Sequence, residues 1–236
     1  MTIPLLKSSQ DKRSHIMMPI TNPEVRAYLA SVKPDRERKL EALYQEAIAK
    51  NIPIIKHEME DFLRLMIVMN RPMRILEIGT AIGYSSIIMS LASDVPLQII
   101  TLEKSEKMIE QAKINIKKFG FEKNITIMQG DAVEVLKTLE EPFDLIFMDA
   151  AKGQYMNFYE DAMRLLAEGG VLIADNVLQE GLVAKSRFAV TRRQRTIHSR
   201  MREFLRTLSN NKDLTTSILP IADGATISMK KRSKNE

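Results

Sequence analysis

Five short, nearly uninterrupted apolar runs recur along the chain: RILEIG (74–79), QIITLE (98–103), ITIMQG (125–130), FDLIFMDA (143–150) and VLIADN (171–176). A strand that is apolar on both faces must be covered on both sides, so each run is expected as a buried strand of a parallel sheet. The stretches between them, 84–93, 105–119, 131–140 and 154–167, carry apolar residues at helical spacing and are expected as crossover helices. Strand and helix in strict alternation, joined by right-handed crossovers, leave few solutions other than an open α/β sheet covered by helices.

Two further strands, TTSILP (215–220) and ATISMKK (225–231), are joined by Ala222-Asp223-Gly224, a link short enough to predict an antiparallel hairpin at the sheet edge. Upstream, 35–50 places Leu40, Leu43, Tyr44, Ala47 and Ile48 at helical spacing, and a second helix is expected over His57–Met69. The expected fold is thus α/β, a mostly parallel seven-stranded sheet with an antiparallel C-terminal hairpin and extra N-terminal helices. A chain of 236 residues buries one good core. A loose extension over residues 1–20 followed by a single domain over 21–236 is therefore expected.

Composition removes several classes of function. There is no cysteine, hence no disulfide, thiolate nucleophile or Cys-type zinc site, and three scattered His make a His-rich metal centre improbable. The N-terminal apolar stretch is too short for a signal-peptide core, and FLRLMIVM (62–69) is interrupted by Arg64 and cannot span a bilayer. A cytoplasmic protein with no membrane partner is expected. The net charge of +5 is compatible with a polyanionic partner without requiring one.

The chemistry is expected at the carboxyl ends of the strands, where open α/β sheets bind ligands. In EIGTAIGYSS (77–86), Gly79 and Gly83 allow a tight turn and close approach of backbone to a ligand, beside the N-terminus of the next helix. The spacing Gly-x-x-x-Gly fits an adenosine-type cofactor better than the pyrophosphate cradle of dinucleotide enzymes. Glu103 ends the second strand, where an acid can accept both ribose hydroxyl hydrogen bonds. Asp131 and Ala132 follow the third strand and either line the adenine or cap the next helix. Asp149 closes FDLIFMDA, and Asp175-Asn176 close VLIADN. Two carboxylates and an amide oxygen, with no soft ligand nearby, suit a hard cation such as Mg²⁺. Lys152, in MDAAKGQY, is either a general base with a lowered pKa or a surface lysine in a polar loop.

Together, ILEIGTAIGYSS, Glu103, QGDA, MDAAKGQY and LIADN resemble the metal-dependent, S-adenosylmethionine-dependent O-methyltransferases of the catechol and caffeoyl-coenzyme A type, over roughly residues 50 to 231. The resemblance implies a Rossmann-like fold in which Glu77, Gly79 and Ser85 hold the methionine end of the cofactor. It also implies that Glu103 takes the ribose, and that Asp131 and Ala132 take the adenine. Asp149, Asp175 and Asn176 would bind the divalent metal, Asp149 also touching the cofactor, and Lys152 would be the catalytic lysine beside Asp149. Ile55 corresponds to a further cofactor contact of the family, which tends to form homodimers.

The resemblance departs from the catechol pattern at Ala151, where that pattern has tryptophan; this chain contains no Trp. Instead, Arg187 to Arg206 holds seven Arg and one His against a single acid, Glu203. If 192–208 is helical, Ile197, Met201, Phe204, Leu205 and Leu208 form an apolar stripe, and Arg192, Arg195, Arg202 and Arg206 project from the other face. Such a face can track phosphates. Some bacterial members of the family resemble transfer-RNA 5-hydroxyuridine methyltransferases, which form 5-methoxyuridine at the wobble position. The expected substrate is therefore a tRNA anticodon loop, the alternative being small catechols or hydroxycinnamoyl-CoA-like phenols.

Overall fold

Three helices precede the sheet: α1 (Pro23–Ser31), α2 (Arg38–Ala49) and α3 (His57–Asn70). The computed structural model describes Ile20 and residues 22–233, so the expected extension lies outside the described residues except for Ile20. Helix α1 was not legible as part of the packing pattern. It forms because Asn22 Oδ1 accepts from Glu24 N at 2.8 Å and Pro23 supplies a helical φ at the first turn, yet it buries no residue. Helix α2 packs through Leu40, Leu43 and Ala47, while Ile48, expected on the same face, is 50% exposed. One residue beyond Ala47 is a 100° rotation, enough to carry Ile48 off the stripe.

The alternating pattern forms β1 (Arg74–Ile78), α4 (Tyr84–Ala92), β2 (Gln98–Glu103), α5 (Glu106–Phe119), β3 (Ile125–Gln129), α6 (Ala132–Thr138), β4 (Phe143–Met148), α7 (Tyr155–Leu165) and β5 (Leu166–Ala174). Helix α8 (Arg195–Asn210) and the hairpin strands β6 (Leu214–Leu219) and β7 (Ala225–Lys230) follow. The seven strands lie in the order β3-β2-β1-β4-β5-β7-β6, with β7 antiparallel to both of its neighbours and the other pairings parallel. This is the Rossmann-like arrangement expected, and the order reverses between β1 and β4.

Side chains of each strand alternate between two cores. Ile75, Leu145 and Phe147 face α2, α3, α4 and α5, whereas Leu76, Ile146 and Met148 face α6, α7 and α8. Strand β5 begins at Leu166, directly after α7, and not at Val171. Leu166 pairs with Phe143, then the register shifts so that Val171 meets Leu145, and Gly169 turns the chain at φ 77°. Among the described residues no helix is long and apolar enough to cross a membrane.

The arginine-rich segment opens with a 3₁₀ turn, Arg192–Gln194, held by a capping box between Thr191 and Gln194, and α8 proper starts at Arg195. Its buried face is His198, Met201, Phe204, Leu205 and Leu208, so His198 takes the inner position expected for Ile197. The phase is otherwise as expected: Ile197 and His198 lie four and three residues before Met201, and at the first turn it is His198 that is buried while Ile197 is half-buried.

Candidate functional site

The side chains singled out in the sequence gather at or just past the carboxyl ends of the parallel strands: Glu103 is the last residue of β2, and Asp149 and Asp175 directly follow β4 and β5. Gly79 N and Thr80 N both donate to Leu102 O, at 3.1 and 3.2 Å, and Gly79 then leaves the ladder at φ 109°. Ala81 N donates to Glu103 Oε2 at 3.0 Å, and Lys104 N and Ser105 N donate to Glu103 Oε1 at 3.0 and 2.9 Å, so one carboxylate joins the turn after β1 to the end of β2. Asp149 N donates to Ile78 O and Asp175 N to Met148 O, both at 3.0 Å. These bonds continue the sheet register and bring the two aspartates to adjacent strand ends.

A cleft of about 600 Å³ opens over this edge. Ile55, Gly79, Ser85, Glu103, Asp131, Ala132, Asp149, Lys152 and Asn176 all line it. Glu77 and Asp175 do not, being fully buried beneath the floor. Asp131 accepts from Val133 N at 3.0 Å, which makes it the cap of α6 as well as part of the wall. Pattern reading missed Thr80, Tyr84, Gln154 and Phe158 in the lining. Tyr84 had a signal, since it directly follows Gly83; its hydroxyl donates to Glu60 at 2.9 Å, and Glu60 also accepts from Arg64 at 3.1 Å.

Glu77 acts from below. Its carboxylate accepts from the hydroxyls of Ser85, Ser86 and Thr101, the last at 2.6 Å, and so fixes the first turn of α4 against β2. Burial drives this carboxyl up to about 7, against the three hydroxyl bonds that pull it down. A folded-state value above the unfolded one means stability that is fully present below the unfolded value and lost as pH rises through about 7. Between pH 5 and pH 8 the wild type should therefore lose on the order of 3 kcal/mol more stability than Glu77→Gln. Urea denaturation at the two pH values checks this, and parallel pH profiles for the two proteins would refute it.

Asp149, half-buried in the cleft wall, and Asp175, buried beneath it, are a like-charge pair. Burial raises both carboxyls, and for Asp175 the charge of Asp149 raises it further. Neither aspartate is in an ion pair among the described residues. Asn176 Nδ2 donates to Asp149 Oδ1 at 3.1 Å, and Asn176 N to Asp175 Oδ1 at 2.6 Å, with Asn176 held in the left-handed region at φ 58°. Tyr155 anchors the strand ends, its hydroxyl donating to Asp175 O at 2.8 Å and its ring packing edge-on against Phe204 of α8. Among the described residues no group of three or more His, Cys, Asp or Glu could hold a metal; the set here is two carboxylates and one amide. Such a hard-oxygen set fits a small divalent cation that keeps other positions for water or substrate.

The four singled-out arginines are not equivalent. Arg192, Arg195 and Arg206 are exposed, whereas Arg202 is half-buried, with Nη1 donating to Lys185 O at 3.3 Å. Arg187, Arg202 and Arg206 line an open groove of about 960 Å³ along α8, together with His198, Asn211 and Tyr159.

A switch point in a parallel sheet, a cleft with a glycine turn and an acid at the end of the neighbouring strand, and two acids with an amide beside a lysine together form a ligand site of the Rossmann-like class. The sequence pattern of the O-methyltransferase family matches residues 30–231, and the chain belongs to that family. It is 32% identical over 162 residues to a catechol O-methyltransferase of Mycobacterium tuberculosis, covering 67% of this chain and 74% of that one. To a caffeoyl-CoA O-methyltransferase of Populus kitakamiensis it is 30% identical over 172 residues, covering 70% and 73%. An O-methyltransferase from Bacillus cereus, solved in complex with SAH, superposes with a TM-score of 0.77 at 29% identity, over 88% of this chain and 97% of that one.

Proposed function

We propose that this chain is an S-adenosylmethionine- and divalent-cation-dependent O-methyltransferase that converts wobble-position 5-hydroxyuridine of tRNA to 5-methoxyuridine. The observation that carries the RNA half is the unneutralised arginine surface beside the active edge. Among the described residues none of the seven arginines from Arg187 to Arg206 is in an ion pair, and Arg200 Nη1 donates to Gly153 O at 2.8 Å, which joins α8 to the loop that carries Lys152. A small phenol needs no such surface. A wobble base offers a 5-hydroxyl beside the 4-carbonyl, a catechol-like pair, and an anticodon-loop base splays out cheaply.

In this reading Gly79 and Ser85 hold the methionine end of the cofactor, Glu103 the ribose, and Asp131 and Ala132 the adenine, with Ile55 a further cofactor contact. Glu77 orients Ser85 from beneath. Asp149, Asp175 and Asn176 hold the cation. Bound there, the cation supplies Lewis-acid lowering of the substrate hydroxyl pKa, and the bound cofactor supplies a methyl on an electron-poor sulfonium. Lys152 takes or stabilises the hydroxyl proton, and the acceptor oxygen displaces the thioether to give methyl ether and S-adenosylhomocysteine. The protein's share is orientation, exclusion of water and charge stabilisation at that oxygen.

The test supplies labelled S-adenosylmethionine and Mg²⁺ with hydroxylated tRNA, with catechol, or with a hydroxycinnamoyl-CoA ester. Label in the tRNA supports the proposal; label in catechol or the ester alone overturns it. Changing Arg192, Arg195, Arg202 and Arg206 together to Ser should lower the log–log salt slope of tRNA binding by about 3 to 4 while leaving cofactor affinity within about twofold. An unchanged slope would remove the arginine face from the argument.

A further inference from the structure

A third acid is buried at the same edge, in a turn whose sequence suggests only a hairpin link. Because β7 runs antiparallel to β5, with Ala174 opposite Thr226, the β6–β7 turn returns to the carboxyl end of the parallel strands. Asp223 in that turn is 3% exposed. Its Oδ2 accepts from Lys152 Nζ at 3.2 Å, and its Oδ1 accepts from Glu180 N. The backbone on both sides is stitched to the loop after β5: Leu178 N donates to Asp223 O at 3.0 Å and Val177 N to Gly224 O at 2.9 Å. That loop is strained, with Asn176, Gln179 and Glu180 at φ 58°, 49° and 52°. The turn fits it so closely that a Cβ on Gly224 would lie 2.6 Å from Leu178 Cβ.

We infer that Asp223 is a positioning residue for methyl transfer, holding the Lys152 Nζ over the acceptor site while pinning the strained 176–180 backbone that carries Asn176. Two observations separate this from an ordinary turn acid. A buried carboxylate needs a partner, and the partner here is Lys152, the basic side chain that lines the cleft next to Asp149. The two carboxylate oxygens are also divided between tasks, one for the lysine and one for the loop, so the distance between Lys152 and the Asn176 segment is set through a single side chain. A lysine carries four rotatable bonds, and without such a tether its Nζ samples many positions.

The inference rests on the role given to Lys152 and not on the RNA reading, so its experiment uses whichever acceptor the wild type methylates best. Asp223→Asn keeps an oxygen for Glu180 N but removes the charge facing Lys152; Asp223→Ala removes both. At saturating Mg²⁺, Asp223→Asn should lower kcat about 10- to 30-fold while the KM for S-adenosylmethionine and the Mg²⁺ requirement stay within about twofold. Asp223→Ala should lower kcat at least as far and also lower Tm. In a Lys152→Met background, Asp223→Asn should have no further effect on kcat, because a residue acting through the lysine has nothing left to act on. Full kcat in Asp223→Asn, or a multiplicative loss in the double variant, overturns the inference. A shifted Mg²⁺ requirement with normal kcat overturns it too, by making Asp223 part of the cation site. Wild-type kcat in Lys152→Met would instead refute the role of the lysine, so the two failures are told apart.

Discussion

Asp175→Asn should lose at least about 10³-fold in kcat, equivalent to some 4 kcal/mol of transition-state stabilisation, while binding S-adenosylhomocysteine within about threefold of wild type. The separation follows from burial. Asp175 lies under the cleft floor and does not line it, whereas Asp149 and Asn176 do, so the cofactor wall survives and the charge that would hold the cation does not. The same substitution should raise the Tm of metal-free protein. Two carboxylates on adjacent strand ends, both pushed up by burial and Asp175 further by its neighbour's charge, cost stability progressively as pH rises from the ordinary carboxylate range through their raised values. An amide of nearly the same shape removes that repulsion.

Divalent cation should then raise the Tm of the wild type in a concentration-dependent way and leave the Asp175→Asn protein almost unmoved, since a ligand stabilises only as far as it prefers the folded state. Scanning calorimetry with and without Mg²⁺, at pH 8 and after chelation, measures both effects. Equal Tm gains in the two proteins would locate the cation elsewhere. Retained kcat in Asp175→Asn would remove the cation from the chemistry.

How much of this was legible in sequence depends on the distance over which each signal acts. The strands were legible because burial on both faces writes a local apolar run, and the acids at their ends were legible because a parallel sheet delivers every carboxyl end to one edge. Their boundaries shifted by a residue or so, since a positive φ at Gly79 or Gly130 ends a ladder that composition alone would continue. The start of β5 was missed because Leu166–Gly170 is not an apolar run; it pairs only through Leu166 and a register shift. Asp223 was missed as a site residue for a topological reason. Its position matters only once β7 is known to insert between β5 and β6, and a turn acid carries no mark of that. Glu77 shows a subtler limit. The family resemblance named it among the cofactor residues, but only the packing reveals that it works through Ser85, Ser86 and Thr101 from beneath the floor.

Gly79→Ala should destabilise the fold by about 3 to 5 kcal/mol and abolish measurable S-adenosylhomocysteine binding in whatever protein remains soluble. Two penalties coincide at this position. Its φ of 109° lies where L side chains are strained, and a Cβ there would overlap the Asp149 carbonyl oxygen and lie 2.9 Å from the Asp149 carbonyl carbon. The obstacle is backbone on the next strand, tied by Asp149 N to Ile78 O, so it cannot rotate away as a side chain would. Relief requires moving either the β1 turn or the end of β4. The first displaces the wall that would hold the methionine end, and the second displaces Asp149 from Asp175. Two other glycines separate the penalties. Gly83 has φ 79°, with Ile116 Cγ1 at 3.4 Å and Ala112 Cβ at 3.5 Å, ordinary contact distances, and Gly120 has φ 81° with nothing within 4 Å of a Cβ. Alanine at either should cost only about 1 kcal/mol, from the positive φ itself. Urea denaturation of the three variants, with calorimetric titration of S-adenosylhomocysteine into each, checks the order. Costs at Gly79 no larger than at Gly120 would mean that the contact between the β1 turn and Asp149 yields freely. The rigid junction of cofactor wall and acid pair would then not be what holds this site together.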